Sequence, residues 1–443
     1  MVSASNFISV DKDIIVSSIN AFLPKVAVIP LCEDDDSVSE VVVSEGMRVR
    51  EGDIIAKSKG LYIHSSVPGI IRKIEQRQYS NGKQGLCAVI ELNGSFSYLG
   101  KPSAKQDWKN YDASTIHFLL KEAGVVNTFD RELPVFTQIK KVRDAGSSIV
   151  VLRLFDSDPS YVTESFVSKH FLPVVLEGAA ILAKTFGAKN LMIAYSASEK
   201  NILKPEIDSI IKERGASFFG DGLEVFTVAT DTKKYPAGTM HDITAAIKKT
   251  YKGEFFSKVG KKDLFIDSAT AMSVYNAIVL GRPVVSDFVH VTGDCLNTAA
   301  MLNVRIGTTL RDIVEQCGGF KRKLSKIVIN GIVSGRAVSS LDIPINRGVK
   351  SVEFIPLHSV KIQNSENCVR CGNCRKICPV NLWPGNLYRI FHIQDIETAC
   401  KSDKDAYKSV ILCTECGLCN SVCPSRLPLS QTISLLKGSH NEK

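Results

Sequence analysis

Residues 368–379 read Cys368-Val-Arg-Cys371-Gly-Asn-Cys374-Arg-Lys-Ile-Cys378-Pro379, and residues 413–424 read Cys413-Thr-Glu-Cys416-Gly-Leu-Cys419-Asn-Ser-Val-Cys423-Pro424. Eight of the 13 cysteines lie on this duplicated motif. Thiolates three residues apart on a glycine-containing loop can bind three corners of an iron–sulfur cube, and the cysteine before the proline binds the cube of the other motif. The spacing therefore predicts two [4Fe–4S] clusters in the C-terminal part of the chain.

The cysteines are predicted to bind the clusters in two crossed sets. The first set is Cys368, Cys371, Cys374 and Cys423, and the second set is Cys413, Cys416, Cys419 and Cys378. Two clusters in one module lie close enough for an electron to pass between them, so electron transfer is the predicted function. This chemistry needs no acid, base or nucleophile, and the sequence therefore predicts metal ligands but no catalytic residue.

Zinc and disulfide bonds are the alternatives for these cysteines. Tetrahedral zinc sites usually take two Cys-x-x-Cys pairs, and that geometry has no place for a third cysteine at the same spacing. Disulfide frameworks are typical of oxidising compartments, whereas the N-terminus shows no basic start followed by an apolar run, so we expect no signal peptide. We therefore expect iron–sulfur clusters in a reducing cytoplasm.

The spacer between the two motifs is 34 residues long and predicts a helical module rather than a β-ferredoxin. Leu387, Ile390 and Phe391 recur at helical spacing, and residues 396–412 are predicted to form a second helix. Cys400 lies on that segment outside both motifs. We predict it to be a packed thiol and not a ligand.

The composition is that of an ordinary soluble globular protein. Apolar residues make up 44% and charged residues 23% of the 443 residues, and the net charge is +9. The best candidate for a membrane span, residues 171–186, is interrupted by Pro173, Glu177 and Lys184. The sequence contains no nucleic-acid-binding motif, so nucleic acid is not an expected partner.

Four domains are predicted along the chain. They are a barrel-sandwich (lipoyl-like) β domain at residues 1–100, an α/β Rossmann-like domain at 101–285, a β-grasp domain at 286–350 and a two-[4Fe–4S] ferredoxin-type domain at 351–443. The α/β domain is indicated by strands near Ile149, Asn190 and Glu224 that alternate with helices. It contains neither a Gly-x-Gly-x-x-Gly motif nor a P-loop.

The N-terminal domain resembles the small barrel of biotinyl and lipoyl carrier domains. The residues that carry this likeness are Gly46-x-x-Val49-x-x-Gly52-Asp53 and Pro68-Gly69-x-Ile71. The Asp-Lys or Met-Lys signature of a modified lysine is missing at the nearby Lys57 and Lys59. We therefore predict a docking barrel and not a carrier domain.

Further motifs are shared with one known family. They are Cys378-Pro-Val-x-Leu-x-Pro-x-x-Leu387, Cys423-Pro-Ser-x-x-Pro-Leu429, Val291-Thr-Gly, Ile306-Gly-Thr-x-Leu-Arg-Asp-Ile-Val, Cys317-Gly-Gly-Phe320, Ser340-Leu-Asp-Ile-Pro344, Tyr235-Pro-x-Gly238 and Ala269-Thr-Ala-x-x-x-Tyr275. With these motifs the chain resembles the RnfC family of the Rnf ion-translocating electron-transport complex from about residue 25 to residue 437. The middle of the chain is similar to the NADH-binding flavoprotein subunit of respiratory complex I, and residues 287–335 are similar to its soluble-ligand-binding β-grasp domain.

The resemblance implies a redox subunit of a membrane-associated complex, bound peripherally at the cytoplasmic face of the cell membrane. It implies as partners the integral membrane subunits, a ferredoxin-type cluster subunit, and a soluble electron carrier such as ferredoxin, flavodoxin or NADH. Because no lipidation site is evident, attachment is expected through protein contacts, with the barrel as the docking module.

The chain departs from the family at the glycine-rich loop whose backbone N–H groups approach the phosphates of FMN and NADH. Here residues 122–140 contain no glycine after Gly124, and Asp130 and Glu132 stand where a dianion would bind. Two other family elements are also changed, to Asp156-Ser-Asp158-Pro-Ser-Tyr161 and to Asp267. We therefore expect neither FMN nor NADH to bind tightly.

Three functions follow from these features. The leading hypothesis is an electron-transfer subunit of an Rnf-type ion-translocating oxidoreductase. The alternatives are a soluble NADH-dependent flavin and iron–sulfur reductase, similar to cobalamin reductase, and a scaffold whose clusters only brace the fold. Basic residues of the cysteine module are predicted either to steer an acidic electron donor or to form an ordinary solvated surface; they are Arg370, Arg375, Lys376, Lys404 and Lys408.

Overall fold

The computed structural model describes residues 2–3, 18–32, 39–219, 222–359, 364–393 and 408–441. These residues form a β barrel-sandwich, a parallel sheet with helices, a second mixed sheet and a helical C-terminal module. The predicted multidomain α/β fold class is confirmed. Cys400, Lys404 and most of the helix predicted at residues 396–412 lie outside the described residues.

Short strands form the N-terminal barrel-sandwich domain. In chain order the first strands of the chain are β1 (Val2–Ser3), β2 (Ser18–Asn20), β3 (Val26–Pro30), β4 (Glu40–Val41), β5 (Arg48–Val49), β6 (Ile54–Lys57), β7 (Tyr62–His64), β8 (Gly69–Gln78) and β9 (Gln84–Leu92). The barrel-sandwich consists of β3 to β9. One sheet has the order β3-β9-β8-β5 and the other β4-β6-β7. Inward-facing side chains from both sheets, among them Ile29, Ile55, Ile71 and Ile90, are fully buried. This core is what a strand pattern of alternating apolar residues predicts.

The barrel is fixed to the β-grasp domain by buried polar contacts. Glu51 forms an ion pair of 2.6 Å with Arg305, and Ser66 Oγ donates to the Ile306 carbonyl at 2.5 Å. The Val28 amide donates to the Gly307 carbonyl at 2.8 Å. The barrel therefore sits firmly on the body of the protein.

A four-stranded parallel sheet forms the centre of the α/β domain. Its elements are α1 (Ala113–Glu122), β10 (Val126–Asn127), β11 (Leu133–Pro134), α2 (Val135–Asp144), β12 (Ile149–Arg153), α3 (Thr163–Phe186), β13 (Asn190–Ser196), α4 (Lys200–Phe219), β14 (Glu224–Thr230), β15 (Lys234–Tyr235), α5 (Met240–Thr250), α6 (Glu254–Ser257), β16 (Leu264–Asp267) and α7 (Ser268–Ile278). The strand order is β14-β13-β12-β16, and all three pairings are parallel. Every residue of β12 is buried, as expected for a strand covered by helices on both faces.

The strand order defines where a ligand would bind in such a sheet. The chain leaves β12 toward β13 and β14 on one side and reaches β16 on the other, so the order reverses between β12 and β16. Ligands of open α/β sheets bind in the crevice at the carboxyl ends of the strands beside such a reversal. Here those ends are Arg153 and Asp267.

Helix α3 is a core helix of the α/β domain. It is long and apolar enough to span a membrane, but 67% of its most apolar window is buried inside the protein. Gly178 brings its backbone against α7, because a Cβ atom at this position would lie 1.9 Å from the Ala271 carbonyl oxygen. The apolar character of α3 is thus explained by its packing against the sheet and α7.

The β-grasp domain is built on a six-stranded sheet. Its elements are β17 (Ser286–Thr292), β18 (Ala300–Arg305), α8 (Leu310–Gln316), β19 (Leu324–Ile329), β20 (Arg336–Val338) and β21 (Ser351–Pro356). The strand order is β2-β18-β17-β21-β19-β20. The predicted boundary at residue 350 therefore falls short of β21, which lies between β17 and β19, and the sheet also takes up β2 from the N-terminal segment. Helix α8 begins after Thr309, which forms a capping box with Asp312.

The C-terminal module is helical, as predicted. Its helices are α9 (Asn373–Ile377), α10 (Pro384–Ile393), α11 (Leu418–Ser421) and α12 (Leu429–Asn441). Leu387, Val410, Ile433 and Leu436 form its small buried core. A core of this size supplies little hydrophobic stabilisation, so the module depends on other contacts to hold its loops.

Candidate iron–sulfur site

The two cysteine motifs fold into loops of the same shape. We call residues 368–376 the first cysteine loop and residues 413–421 the second. Arg370 and Glu415 occupy equivalent positions and have φ of 56° and 54°, and the following glycines, Gly372 and Gly417, have φ of 76° and 71°. Left-handed backbone at closely spaced sites curls a chain tightly. The sequence duplication is therefore also a structural duplication.

The second cysteine loop surrounds a cavity together with a cysteine of the first motif. Cys378, Cys413, Cys416 and Cys419 line this cavity, with Leu418 and other apolar groups. Burial raises the pKa of the Cys413 thiol to about 11 and that of Cys419 to about 12. A bare thiolate is thus disfavoured here, whereas thiolates bound to iron share their charge with the metal. This quartet is the second predicted ligand set.

The first cysteine loop is more open. Cys368 and Cys371 are exposed and Cys374 is half-buried. An added Cβ on Gly385, in the first turn of α10, would lie 3.3 Å from Cys374 Sγ and 3.9 Å from Cys368 Sγ. These two sulfurs therefore lie side by side against α10.

Cys423 belongs to a segment that runs beside the start of the first cysteine loop. The Glu366 amide donates to the Ser425 carbonyl at 2.9 Å, and Ser425 Oγ donates to the Asn367 carbonyl at 2.8 Å. The segment before Cys368 is thereby bonded to the segment after Cys423. The assignment of Cys423 to the first ligand set stays a prediction, and this pairing supports it.

The donor set of the second loop suits an iron–sulfur cluster. Among the described residues, no group of three His, Cys, Asp or Glu side chains is arranged to hold one metal ion. The four sulfurs of the second set instead line a shared cavity. A cavity lined mainly by thiols and apolar groups suits a multi-atom cluster bound by thiolates.

The second cysteine loop is clamped to the body of the protein. Tyr235 is buried, and its hydroxyl donates to the Cys416 carbonyl at 2.8 Å. Gly417 packs so closely that a Cβ would lie 2.2 Å from the Val333 carbonyl oxygen of the β-grasp domain. The Tyr235-Pro-x-Gly238 motif had no role assigned from the sequence, and the structure places it against the cluster loop.

An ion pair between Lys437 and Glu415 also holds the second cysteine loop. Lys437 Nζ of α12 lies 2.8 Å from Glu415 Oε1 and 2.8 Å from the Cys413 carbonyl oxygen. Burial disfavours the Glu415 carboxylate, but Lys437 holds its pKa below the usual range. No spacing rule would have linked residues 415 and 437, so this contact was not predicted.

The crevice between β12 and β16 is filled by a buried group of four charges. Lys350 Nζ lies 2.5 Å from Asp267 Oδ2, 2.9 Å from Glu164 Oε1 and 2.8 Å from the Thr128 carbonyl oxygen. Arg153 lies 4.0 Å from Asp267 and 4.2 Å from the centre of the ring of Phe129. The two cations face two carboxyl groups, so most of their charge is compensated within the group and little of it is left to attract a phosphate.

Burial and mutual attraction set the ionisation of these groups. Burial disfavours the Asp267 carboxylate, but Lys350 and Arg153 hold its pKa well below the usual range. Burial would lower the pKa of Lys350, but Asp267 and Glu164 hold it above the usual range. Burial and the nearby Asp267 raise the pKa of Glu164 to about 7. Lys350 and Asp267 are therefore a charged pair at neutral pH.

The residues that depart from the family pattern have bonds of their own. Asp156 accepts from the Glu164 and Ser165 amides in the first turn of α3, at 2.7 and 3.1 Å. Asp158 accepts from the Ser334 amide at 3.1 Å and so ties the α/β domain to the β-grasp domain. These carboxylates are oriented toward the protein's own N–H groups.

The loop that replaces the glycine-rich segment closes over the crevice. Thr128 Oγ1 donates to Asp267 Oδ2 at 2.9 Å. An added Cβ on Gly348 would lie 2.4 Å from Glu132 Cγ, so the Glu132 side chain packs on Gly348, while Asp130 is exposed. The cavity left beside Thr128 has a volume of only about 10 Å³, whereas pockets for small molecules and cofactors span roughly 300–1,000 Å³. The residues present here do not fit FMN or a dinucleotide.

Comparison with known proteins identifies relatives of the chain and family models for three of its domains. The chain matches the RnfC barrel sandwich hybrid domain at residues 9–95, the SLBB domain at 288–335 and the 4Fe-4S dicluster domain at 364–427. The C subunit of the Na⁺-translocating ferredoxin:NAD⁺ oxidoreductase complex of Acetobacterium woodii is 24% identical over 82% of this chain and 81% of its own length. The C subunit of the proton-translocating complex of Clostridium ljungdahlii is 26% identical over 82% of this chain and 78% of its own length.

A solved structure also resembles the chain. An NAD⁺-reducing [NiFe]-hydrogenase in the air-oxidized state superposes with a TM-score of 0.49 at 14% identity, over 77% of this chain and 69% of that chain. The resemblance predicted from the sequence motifs is confirmed by the relatives and by the domain matches.

Proposed function

Because the chain is related over most of its length to the C subunits of ion-translocating oxidoreductase complexes, we propose that it is the electron-transfer subunit of such a complex. The observation that carries the proposal is the duplicated cysteine loop in a 4Fe–4S dicluster domain. Bound [4Fe–4S] clusters supply one-electron reduction and reoxidation.

The residues of this chain have distinct tasks in that function. Cys378, Cys413, Cys416 and Cys419 would hold the second cluster in the cavity that they line, and Cys368, Cys371, Cys374 and Cys423 would hold the first. Tyr235 and Lys437 position the second loop through its backbone carbonyls. A loop fixed at both sides changes little in shape when its charge changes, which favours fast electron transfer.

The crevice argues against the reductase alternative. A soluble NADH-dependent flavin reductase needs a cradle for phosphate groups. In this chain the corresponding crevice contains two carboxyl groups, Asp267 and Glu164, which lie within ion-pair distance of Lys350 or Arg153. The proposed role is therefore the transfer of electrons through thiolate-bound clusters, with partners supplying any flavin or nucleotide chemistry.

The proposed function is tested on protein purified without oxygen. We expect about eight iron and eight acid-labile sulfide atoms per chain, and electron paramagnetic resonance signals that appear on reduction and disappear on reoxidation. Clusters that cannot be reduced and reoxidised would favour the scaffold alternative. Two zinc ions per chain without visible absorbance would contradict the proposal entirely.

Flavin and nucleotide binding gives a second prediction. We expect gently purified protein to contain no stoichiometric FMN and NADH to leave the visible absorbance of the clusters unchanged. A phosphate brought to this crevice would face carboxylates in place of aligned N–H groups, and each unpaired polar contact costs about 1–3 kcal/mol. Fluorescence of the released flavin and anaerobic titration with NADH measure both. One FMN per chain would show that another surface binds it.

Attachment to the membrane gives a third prediction. We propose that the barrel docks on integral membrane subunits at the cytoplasmic face, because it lacks a modifiable lysine signature and is held rigidly on the body. The protein should then enter the membrane fraction only when those subunits are co-expressed. Fractionation of cells with and without them measures this. Membrane binding by the isolated chain would contradict it.

A further inference from the structure

The two cysteine loops have the same shape but different surroundings. In the second loop Leu418 is fully buried, Gly417 touches the β-grasp domain and Glu415 is paired with Lys437. In the first loop Val369 is 67% exposed, and Cys368 and Cys371 are exposed. The second loop is thus covered by the protein itself, and the first faces outward.

The chemistry of the two loops differs in the same way. Arg370 stands at the position equivalent to Glu415, and Arg375 and Lys376 stand at the positions of Asn420 and Ser421. Residues 368–393 contain no Asp or Glu. Within the described part of the chain, none of the three basic side chains of the first loop forms a salt bridge. Positive charge is therefore concentrated on the outward-facing loop.

An exposed aromatic side chain extends this face. Trp383 is 51% exposed, and the guanidinium of Arg375 lies 5.2 Å from the centre of its ring. Stacking of this kind holds a large apolar surface beside a cation. Val369 directly follows the exposed Cys368 and Trp383 lies beside Arg375, so the face combines apolar contact area with positive charge, a combination typical of interfaces between proteins.

We propose that the first cysteine loop, with Trp383, is the docking face for an acidic one-electron carrier protein. The inference rests on the proposed function and adds which of the two loops meets the partner. Positive charge steers an acidic partner and orients it, while the exposed Val369 and Trp383 supply apolar contact area beside these charges. An anionic lipid surface would also attract the charges, but it neither donates nor accepts electrons and would gain nothing from exposed cluster ligands at its centre.

The test uses an acidic ferredoxin with two [4Fe–4S] clusters as the probe. The rate at which reduced ferredoxin reduces the anaerobic holoprotein is measured by stopped-flow absorbance at several salt concentrations. We expect the second-order rate constant to fall steeply as salt rises, and Arg375→Glu and Lys376→Glu each to lower it about tenfold at low salt. Lys249→Glu, an equal charge change at an exposed site on α5, should change it by less than about twofold.

A binding measurement makes the test independent of electron transfer. Oxidised ferredoxin, mixed with the oxidised holoprotein so that no electron passes, should bind the native protein and bind the two loop variants about tenfold more weakly. Iron analysis of each variant shows that its clusters are intact, and Arg370→Asn removes a third charge while tolerating the left-handed backbone of this position. Equal affinities for the native protein and these variants would overturn the proposal.

The remaining outcomes separate this inference from the proposed function. Rapid reduction by dithionite together with a ferredoxin reaction that is indifferent to salt and to the loop variants would overturn the docking face and leave the proposed function standing. Clusters that dithionite cannot reduce would overturn the proposed function itself. Binding to phosphatidylglycerol vesicles that the loop variants abolish, with an unchanged ferredoxin reaction, would assign the face to a membrane and refute the proposal.

Discussion

A Cys416→Ala variant should lose or convert one of the two clusters and keep the other. Cys416 lies at the centre of the second cysteine loop, and its side chain lines the cavity with Cys378, Cys413 and Cys419. Loss of the whole cluster would lower the iron content from about eight to about four atoms per chain. Iron and sulfide analysis, with electron paramagnetic resonance of the reduced protein, measures the effect.

The crossed assignment of the ligands predicts which other cysteine variants should affect the same cluster. Cys378→Ala should affect the same cluster as Cys416→Ala, although Cys378 belongs to the first motif. Cys423→Ala should instead resemble Cys371→Ala. Cys400→Ala, outside both motifs, is the control and should leave both clusters intact. If Cys378→Ala gave the spectrum of Cys371→Ala, each motif would bind its own cluster and the crossed sets would be wrong.

The sequence predicted best the features that depend on short-range patterns. Cysteine spacing indicated the dicluster domain, and alternating strands and helices indicated the parallel sheet around β12 and β13. The helical spacing of Leu387, Ile390 and Phe391 predicted a helix, and the structure contains α10 there. Each of these signals is carried by residues close together in the chain, so it can be recognised without knowing the fold.

The features that were missed depend on contacts between distant residues. The predicted boundary at residue 350 left out β21 because the strand follows a loop, and its place between β17 and β19 is decided by pairing with strands far away in the chain. The hydrogen bond from Tyr235 to Cys416 and the pair Lys437–Glu415 arise in the same way.

The closed crevice was predicted only in part. Loss of glycines from the loop and the change at Asp267 indicated a poor phosphate site. The cation that balances Asp267 is Lys350, which lies 83 residues further along the chain, next to β21. Its role follows only from the placement of β21 beside the α/β sheet. The structure thus supplies a physical reason for the departures: the crevice is closed by an internal ion pair.

Replacement of Lys350 by Met should destabilise the protein strongly, by about 3–5 kcal/mol, the usual cost of removing one partner from a buried ion pair. The side chains of Asp267 and Glu164 are fully buried, and after the change only Arg153 would compensate them. The exposed pair of Lys258 and Glu254 provides the control. Lys258→Met should cost less than about 1 kcal/mol.

The pH dependence of this effect has a definite sign. In the native protein the pKa of Asp267 is lowered, so its contribution to stability is present above its unfolded pKa of 3.8 and is lost as the pH falls through its folded pKa. The pKa of Lys350 is raised, so its contribution is fully present below its unfolded pKa of 10.5. Without the lysine, burial and mutual repulsion raise the pKa of both carboxyls. Protonation then relieves the defect, and Lys350→Met should be more damaging at about pH 8 than at about pH 5.

A second substitution tests whether charge is the cause of the destabilisation. Asp267 accepts from the Thr270 amide at 2.9 Å as the N-cap of α7, and Asn is equally suited to cap a helix. In the double variant Asp267→Asn and Lys350→Met, the carboxyl group of Glu164 and the guanidinium of Arg153 remain. Their opposite charges again compensate each other in the crevice. We expect this variant to regain much of the stability lost by Lys350→Met at about pH 8, measured by thermal unfolding of the two variants side by side. A double variant no more stable than the single one would mean that packing of the lysine side chain, and not its charge, holds the crevice closed.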